Sequence, residues 1–193
     1  MGGERSMQLD AKTTALVLID LQKGILARPF APHSAADVFA RSEELAKRFR
    51  SLHAPVVRVR VMWAKDYADA PSSNVDEPTP RPPGGLPPAF AEFPDDPEAQ
   101  GDIVVTKRQW GAFHGTDLEV QLRRRGVKTI ALGGVATNFG VESTARAAWE
   151  LGYDVVIVED ITSTATVEMH EFALKKIFPR ISRVTASKDI SLA

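Results

Sequence analysis

Asp20, Lys107 and the turn around Gly140 are the three places in this 193-residue chain where residue type and position suggest chemistry. Asp20 ends the run Thr14-Ala15-Leu16-Val17-Leu18-Ile19, which has no polar side chain after its first residue. A carboxyl at the rim of an apolar core is costly to ionise unless a cation faces it. Lys107, at the end of Asp102-Ile103-Val104-Val105-Thr106, is the candidate cation. A carboxyl held between burial, which raises its pKa, and an ammonium, which lowers it, suits general acid–base work. The plainer readings are that Asp20 caps the loop Leu21-Gln22-Lys23-Gly24 and that Lys107-Arg108 is a solvated strand end. The third place, Gly134-Val135-Ala136-Thr137-Asn138-Phe139-Gly140, leads from an apolar run into an amphipathic one. Unpaired N–H groups at such a helix start suit an anion or a developing oxyanion, with Thr137 and Asn138 adding short polar side chains. Trp110, Phe113 and His114 follow Lys107 around Gly111 and Gly115, as lining for a site, as core plugs or as interface residues.

The elements that must position these groups alternate short β-branched runs with longer amphipathic segments, the pattern of an α/β protein with a parallel sheet. Strands are expected at Thr14–Asp20, Val56–Val61, Asp102–Lys107, Thr129–Gly133, Asp154–Glu159 and Ile181–Thr185. Ser34, with Asp37 three residues on, opens a helix reaching about Leu52. Thr116-Asp117-Leu118-Glu119 reads as a capping box for a helix that stops at Gly126. After Gly140 a helix carries Val141, Ala145, Ala148 and Leu151 on one stripe, pairs Glu142 with Arg146, and ends at Gly152. A last helix spans about Thr166–Ile177, broken by Pro179. The ligand end of such a sheet is the carboxyl edge of its strands, where Asp20, Lys107 and the Gly140 turn all fall.

Nine of the thirteen prolines lie between Trp63 and Gly101. So long a stretch without regular structure is expected to serve as a lid or an oligomer contact, with Phe90 and Phe93 packing part of it down. The chain reads as one domain, 1–193, with this insertion at about 64–101. Met1–Met7 reads as a polar terminal extension.

Composition narrows the function classes. A formal net charge of −1 favours neither nucleic acid nor an anionic membrane, and no run approaches the apolar length of a membrane span. With no cysteine, disulfides, thiolate metal sites and thiol chemistry are excluded, and a cytoplasmic location is the default. His33, His53, His114 and His170 have no ligand spacing, so no metal or other cofactor is expected. There is neither a GxGxxG fingerprint nor a GxSxG elbow. A small-molecule substrate remains.

The order and spacing of Ala15-Leu16-Val17-Leu18-Ile19-Asp20-Leu21-Gln22, of Lys107 with Ala112-Phe113-His114-Gly115-Thr116-Asp117-Leu118, and of Gly133-Gly134-Val135-Ala136-Thr137-Asn138 with Val141-Glu142-Ser143-Thr144-Ala145 resemble the isochorismatase-like hydrolases. Gly152-Tyr153-Asp154-Val155 completes the likeness, which covers nearly the whole chain outside the proline-rich segment. The resemblance implies a three-layer, Rossmann-like sheet in order 3-2-1-4-5-6 of the six expected strands. It also implies a non-proline cis peptide at Val135-Ala136 and an Asp-Lys-Cys triad. Asp20 and Lys107 match two members of that triad, and Gly140 stands where the nucleophilic cysteine belongs. By the same likeness Val135, Ala136, Thr137 and Asn138 form the oxyanion turn and the protein forms a homodimer or homotetramer, while Trp110 and Phe113, from their place on the glycine-hinged loop, are expected to bind substrate. Relatives that bind a metal do so through an aspartate and histidines after the second strand; here Asp66 stands without a histidine.

Covalent amide hydrolysis needs a side chain that can be acylated. True isochorismatases, which the chain resembles in lacking the cysteine, protonate a vinyl-ether carbon from the aspartate and let water attack the resulting cation. The expectation is therefore a hydrolase that uses Asp20 and Lys107 without a covalent intermediate. The alternative is a non-catalytic descendant that binds a small ligand or a partner.

Overall fold

The structure, a computed structural model, describes residues 6–193, so most of the expected terminal extension lies outside the described residues. Its last residue belongs to the fold. Met7 begins β1 (Met7–Leu9), which pairs in parallel with β8 (Ile190–Leu192). Strands of three residues carry too little periodicity to be read from sequence.

The main sheet contains β2 (Thr14–Ile19), β3 (Val56–Val61), β4 (Ile103–Lys107), β5 (Thr129–Val135), β6 (Asp154–Ser163) and β7 (Arg183–Thr185). Its order is β4-β3-β2-β5-β6-β7, and every pairing is parallel. This is the expected 3-2-1-4-5-6 arrangement. All six residues of β2 are buried because the strand is central and covered on both faces. On one face Ala15, Val17, Ile19, Val57, Val59 and Val105 pack with α3 (Leu118–Arg124) and α4 (Glu142–Glu150). On the other, Leu16, Leu18, Val56 and Val156 pack against Val38, Leu45 and Phe49 of α2 (Ala35–Ser51), whose Ser34 cap accepts the Asp37 N–H at 3.1 Å.

Two strands run past their expected ends. β5 continues through Gly133-Gly134, because these glycines are built for close contact. A Cβ on Gly134, where φ is +109°, would lie 2.1 Å from the Ile19 carbonyl oxygen. β6 continues past Glu159 across a register shift, and the interrupting Asp160 is satisfied by the Ser187 N–H and hydroxyl at 2.7 and 2.6 Å. The expected capping box does not form. Asp117 is the cap position with no side-chain cap bond, and Thr116 Oγ1 instead donates to the Ala112 carbonyl and accepts the Leu118 N–H. Leu151, placed on the apolar stripe of α4, is exposed because it follows the helix's last turn. Glu142 and Arg146 do pair, at 3.0 Å. The last helix is α5 (Val167–Phe172), continued by a π turn over Ala173–Ile177.

The later part of the proline-rich segment is fastened to the sheet, and Arg58 is the main fastener. This arginine of β3 is fully buried and contacts Glu43, Asp95 at 3.0 Å and Asp102 at 3.8 Å, with its guanidinium over the Phe39 and Phe93 rings. Arg50 makes a second, bidentate bond to Asp102 at 2.7 and 2.5 Å. The buried amide of Gln22, just before the short helix α1 (Lys23–Leu26), adds another tie, donating to the Val61 and Phe90 carbonyls, both at 2.9 Å. Removing one partner from a buried ionic cluster leaves uncompensated charge behind. Arg58→Met is therefore expected to destabilise the protein by about 3–5 kcal/mol, measured by urea unfolding. A loss below about 1 kcal/mol, the range of exposed pairs, would show the cluster to be effectively solvated.

Candidate active site

Asp20 follows the last residue of β2 and takes a left-handed backbone conformation, φ +55°. Such a conformation is uncommon for a residue with a Cβ, and aspartate tolerates it better than most. It interrupts the strand's alternation and brings the carboxyl to the side of the sheet where Ile19 points. A Cβ built at Gly140 would touch both Ile19 Cγ2, at 3.0 Å, and Asp20 Oδ2, at 3.4 Å.

Lys107 reaches the same point from β4, although β3 lies between. Two strand spacings are about 10 Å, and the flexible four-carbon lysine stem bridges most of that gap. Its register partner on β3 is Val61. Lys107 Nζ donates to Asp20 Oδ2 at 2.8 Å and to the Gln109 carbonyl at 3.0 Å. Both partners are buried, Lys107 to 1% and Asp20 to 7% relative exposure. The solvated-strand-end reading of Lys107 is thereby excluded.

The two carboxyl oxygens of Asp20 differ. Oδ2 holds Lys107, whereas Oδ1 is sealed from solvent and has no hydrogen-bond partner among the described residues. Negative charge spread onto Oδ1 is uncompensated there. Burial accordingly pushes the Asp20 pKa up to about 6, against the opposing pull of Lys107. Near neutral pH the group can both give and take a proton.

The turn after β5 has the expected cis peptide at Val135-Ala136. From there the backbone enters a π turn, Thr137–Val141, before α4 begins. The Phe139 and Val141 N–H groups both bond the Ala136 carbonyl, at 3.1 and 3.2 Å. The Phe139 N–H, unpaired at a plain helix start, is thus engaged. The side chains expected to add polarity are also engaged elsewhere. Thr137 Oγ1 bonds His170 Nδ1 at 2.8 Å, and Asn138 Oδ1 accepts from Thr164 at 2.6 Å. Thr137 and Thr164 are fully buried, so their hydroxyls must be satisfied internally, and these bonds hold the turn from behind.

The aromatic loop divides in two. Trp110, 61% exposed, lies against Phe139 with ring centroids 4.8 Å apart, at the mouth of the site. Phe113 packs into the buried sheet-face cluster, its ring 5.8 Å from that of Tyr153. Asp66 accepts the Ala68 N–H at 3.1 Å in an exposed turn. Among the described residues no three histidine or carboxylate side chains are grouped to hold a metal.

A lone histidine, His170, and a threonine in the first turn of α4, Thr144, carry no motif, and only their contacts reveal them: Thr144 Oγ1 donates to the Gly140 carbonyl at 2.7 Å and accepts the Ala112 N–H at 3.1 Å. Burial, reinforced by the neighbouring His33, depresses the His170 pKa to about 4. A depressed pKa means that the folded state resists protonation, so this contribution to stability is complete above about pH 6.5 and is lost as pH falls toward about 4. The stability gap between wild type and His170→Gln should therefore narrow between about pH 7 and 4.5, as read by thermal melts. A constant gap would contradict a neutral His170.

A parallel α/β sheet with a buried carboxyl–ammonium pair at its carboxyl edge, facing a cis-peptide turn, defines a Rossmann-like enzyme scaffold. Residues 14–189 match the isochorismatase domain, and the chain belongs to the isochorismatase family of hydrolases. It is 51% identical over 185 residues, 95% of this chain and 97% of the relative, to the isochorismatase family protein YecD of Escherichia coli O157:H7. A ureidoacrylate amidohydrolase, RutB of Methylobacterium radiotolerans, is 31% identical over 88% of this chain and 74% of its own. Among solved structures, an isochorismatase family protein from Burkholderia thailandensis superposes with a TM-score of 0.86 at 46% identity, covering 95% of each chain. No helix among the described residues is long and apolar enough to cross a membrane.

Proposed function

We propose that this protein hydrolyses a small molecule without forming a covalent enzyme intermediate, with Asp20 as general acid and then base. The observation that carries this reading is the Asp20 carboxyl itself. It is buried, bonded to Lys107 through one oxygen only, and poised to be protonated near pH 6 beside a residue with no side chain. Gly140 cannot be acylated, and the chain contains no cysteine to act in its place. The nucleophile is water. Lys107 orients Asp20 and stabilises the charge left when its proton departs.

A vinyl ether of the isochorismate type fits this apparatus better than an amide. Its hydrolysis begins with proton transfer to carbon, which a carboxylic acid of raised pKa supplies, and the carbon cation so formed accepts water directly. An amide requires a stronger nucleophile at the outset. The exposed Trp110 and Phe139 rings, tilted 57° to each other, offer apolar surface for an unsaturated substrate.

The test is turnover by the wild-type protein on isochorismate and a panel of small amides, including ureidoacrylate, with intact-mass analysis during the reaction. Vinyl-ether hydrolysis with an unmodified protein mass is the expected result. Amide hydrolysis with an acylated chain would overturn the mechanism, and no turnover on any substrate would favour a binding protein.

A further inference from the structure

Strand β3 carries two arginines on one face, and their surroundings differ. Arg58 meets the carboxylates of Glu43, Asp95 and Asp102. Arg60, two residues on, has no carboxylate partner among the described residues. Its Nε donates to Thr106 Oγ1 at 3.0 Å, across the Arg60–Thr106 pairing of β3 with β4, and its guanidinium lies 5.8 Å from the centre of the Phe93 ring. These contacts orient the guanidinium and leave its two terminal nitrogens without a hydrogen-bond acceptor among the described residues. The carboxylates around Arg58 do not serve it, because they are bonded to Arg58 and Arg50 instead.

Arg60 lines a cavity of about 430 Å³ together with Met62, Thr106, Pro88 and Ala91. The cavity follows from the sheet order. β4 is an edge strand, and the apolar cluster under α2 draws on β2, β3, β5 and β6 but on no residue of β4. The β3–β4 corner of this face is therefore roofed by the proline-rich segment, through its short 3₁₀ turn Pro88–Ala91. Two further charged residues stand in the wall, and both are paired. Glu92 meets Lys23 at 2.8 Å, and Arg108 meets Asp69 at 2.5 Å. Arg60 is thus the one charge in the wall without an ion-pair partner among the described residues. Strand alternation places Arg60 and Thr106 on the opposite face from Val61 and Lys107. The cavity accordingly lies behind the Asp20–Lys107 pair and is separate from the candidate active site.

We propose that this cavity binds a small carboxylic acid as its anion, with the carboxylate on Arg60 and a short hydrocarbon body against Met62, Pro88 and Ala91. An oriented guanidinium with both terminal nitrogens available matches the two oxygens of a carboxylate. Thr106 Oγ1 accepts from Arg60 and keeps its own proton to donate. One unpaired cation suits a single negative charge. A phosphate would bring more charge beside Glu92, with no second unpaired cation in the wall to meet it. The cavity's size is that of a small-ligand site, for which about 300–1,000 Å³ is usual. This second site does not depend on the hydrolytic reading above.

The experiment is an NMR titration of the full chain, labelled at the methionine methyl carbons, with butyrate. The chain has four methionines, of which Met62 is in the cavity wall, and its resonance is the one that Met62→Leu removes. Butyrate should shift that resonance saturably, in the millimolar range expected of so small a ligand. Butyramide, which has the shape without the charge, and inorganic phosphate should leave it in place at the same concentrations. Arg60→Gln should weaken butyrate binding by about tenfold to a hundredfold, the scale of a charge-assisted contact. Arg60→Lys keeps the charge without the planar fork and should fall between. Thermal melts show whether each variant is folded. Thr106→Val keeps the guanidinium but removes its tether, and should weaken binding severalfold even if Arg60→Gln does not fold. Asp20→Asn should bind butyrate as the wild type does, since Asp20 lies on the other face. No saturable shift with butyrate would overturn the site. An equal shift with butyramide would reduce it to an apolar cleft, and tighter binding of phosphate would overturn the carboxylate assignment. Undiminished binding in folded Arg60→Gln, or its loss in Asp20→Asn, would place the acid elsewhere and discard the proposal.

Discussion

Replacing Asp20 with asparagine is expected to reduce kcat by about 10²–10⁴-fold, the range for removal of a general acid–base group, with little change in KM. The amide matches the carboxyl in shape and can still face Lys107, but it has no acidic proton to give and cannot take one back from water. Some loss of stability should accompany the change, because Lys107 is then a buried cation without its counter-charge. A thermal melt separates the two effects. A folded variant that has lost its rate supports the chemical role, while a folded variant with wild-type kcat would remove Asp20 from the mechanism.

The second large effect concerns Gly140→Cys. The contacts around a Cβ here leave room once the Ile19 methyl gives by a few tenths of an ångström, and the backbone conformation does not require glycine. The variant would carry the only thiol in the chain, next to a carboxyl that can accept its proton and an ammonium that favours the thiolate. Two results are expected together. The non-covalent reaction should fall by about 10²-fold or more, because the sulfur sits against the Asp20 carboxyl that supplies the proton. The thiol should be alkylated by iodoacetamide and acylated by a small activated amide, as a mass increase of one adduct. An unreactive thiol with the original hydrolysis intact would mean that Gly140 does not face the reacting centre.

The fold was legible because the sheet's own chemistry is repetitive. Apolar β-branched runs such as Ala15–Ile19 and Val155–Val158 can be satisfied only by burial on both faces, and that burial is what the sheet provides. The pairing of Asp20 with Lys107 was also legible, since a carboxyl ending such a run needs a cation. Its route was not. Position along the chain does not tell that the lysine would reach across β3 to a carboxyl at the end of β2. Nor does it tell that Asp20 would adopt a left-handed backbone to meet it.

Where side chains expected at the site are also held by the structure, the cause is shared. Thr137, Asn138, Phe113 and Thr116 are residue types that serve equally well in a site or in structure. What decides between the two is whether the group is buried with a partner. Thr137 and Asn138 found partners in His170 and Thr164, and Phe113 found Tyr153. Thr116 turned back to Ala112. Thr144, the residue that joins the two halves of the site, carries no pattern beyond its place in a helix.

The central claim, that a protonated Asp20 starts a reaction finished by water, is tested most directly by the pH dependence of kcat/KM. That ratio reports the ionisation of the free protein. With the Asp20 pKa raised to about 6, the active acid form is fully present at lower pH and is lost as pH rises. For a vinyl-ether substrate kcat/KM should therefore hold a plateau below about pH 6 and fall about tenfold per pH unit above it. The residual rate of Asp20→Asn should show no such break. A wild-type profile that instead rises through pH 6, or that crosses it without change, would contradict the account.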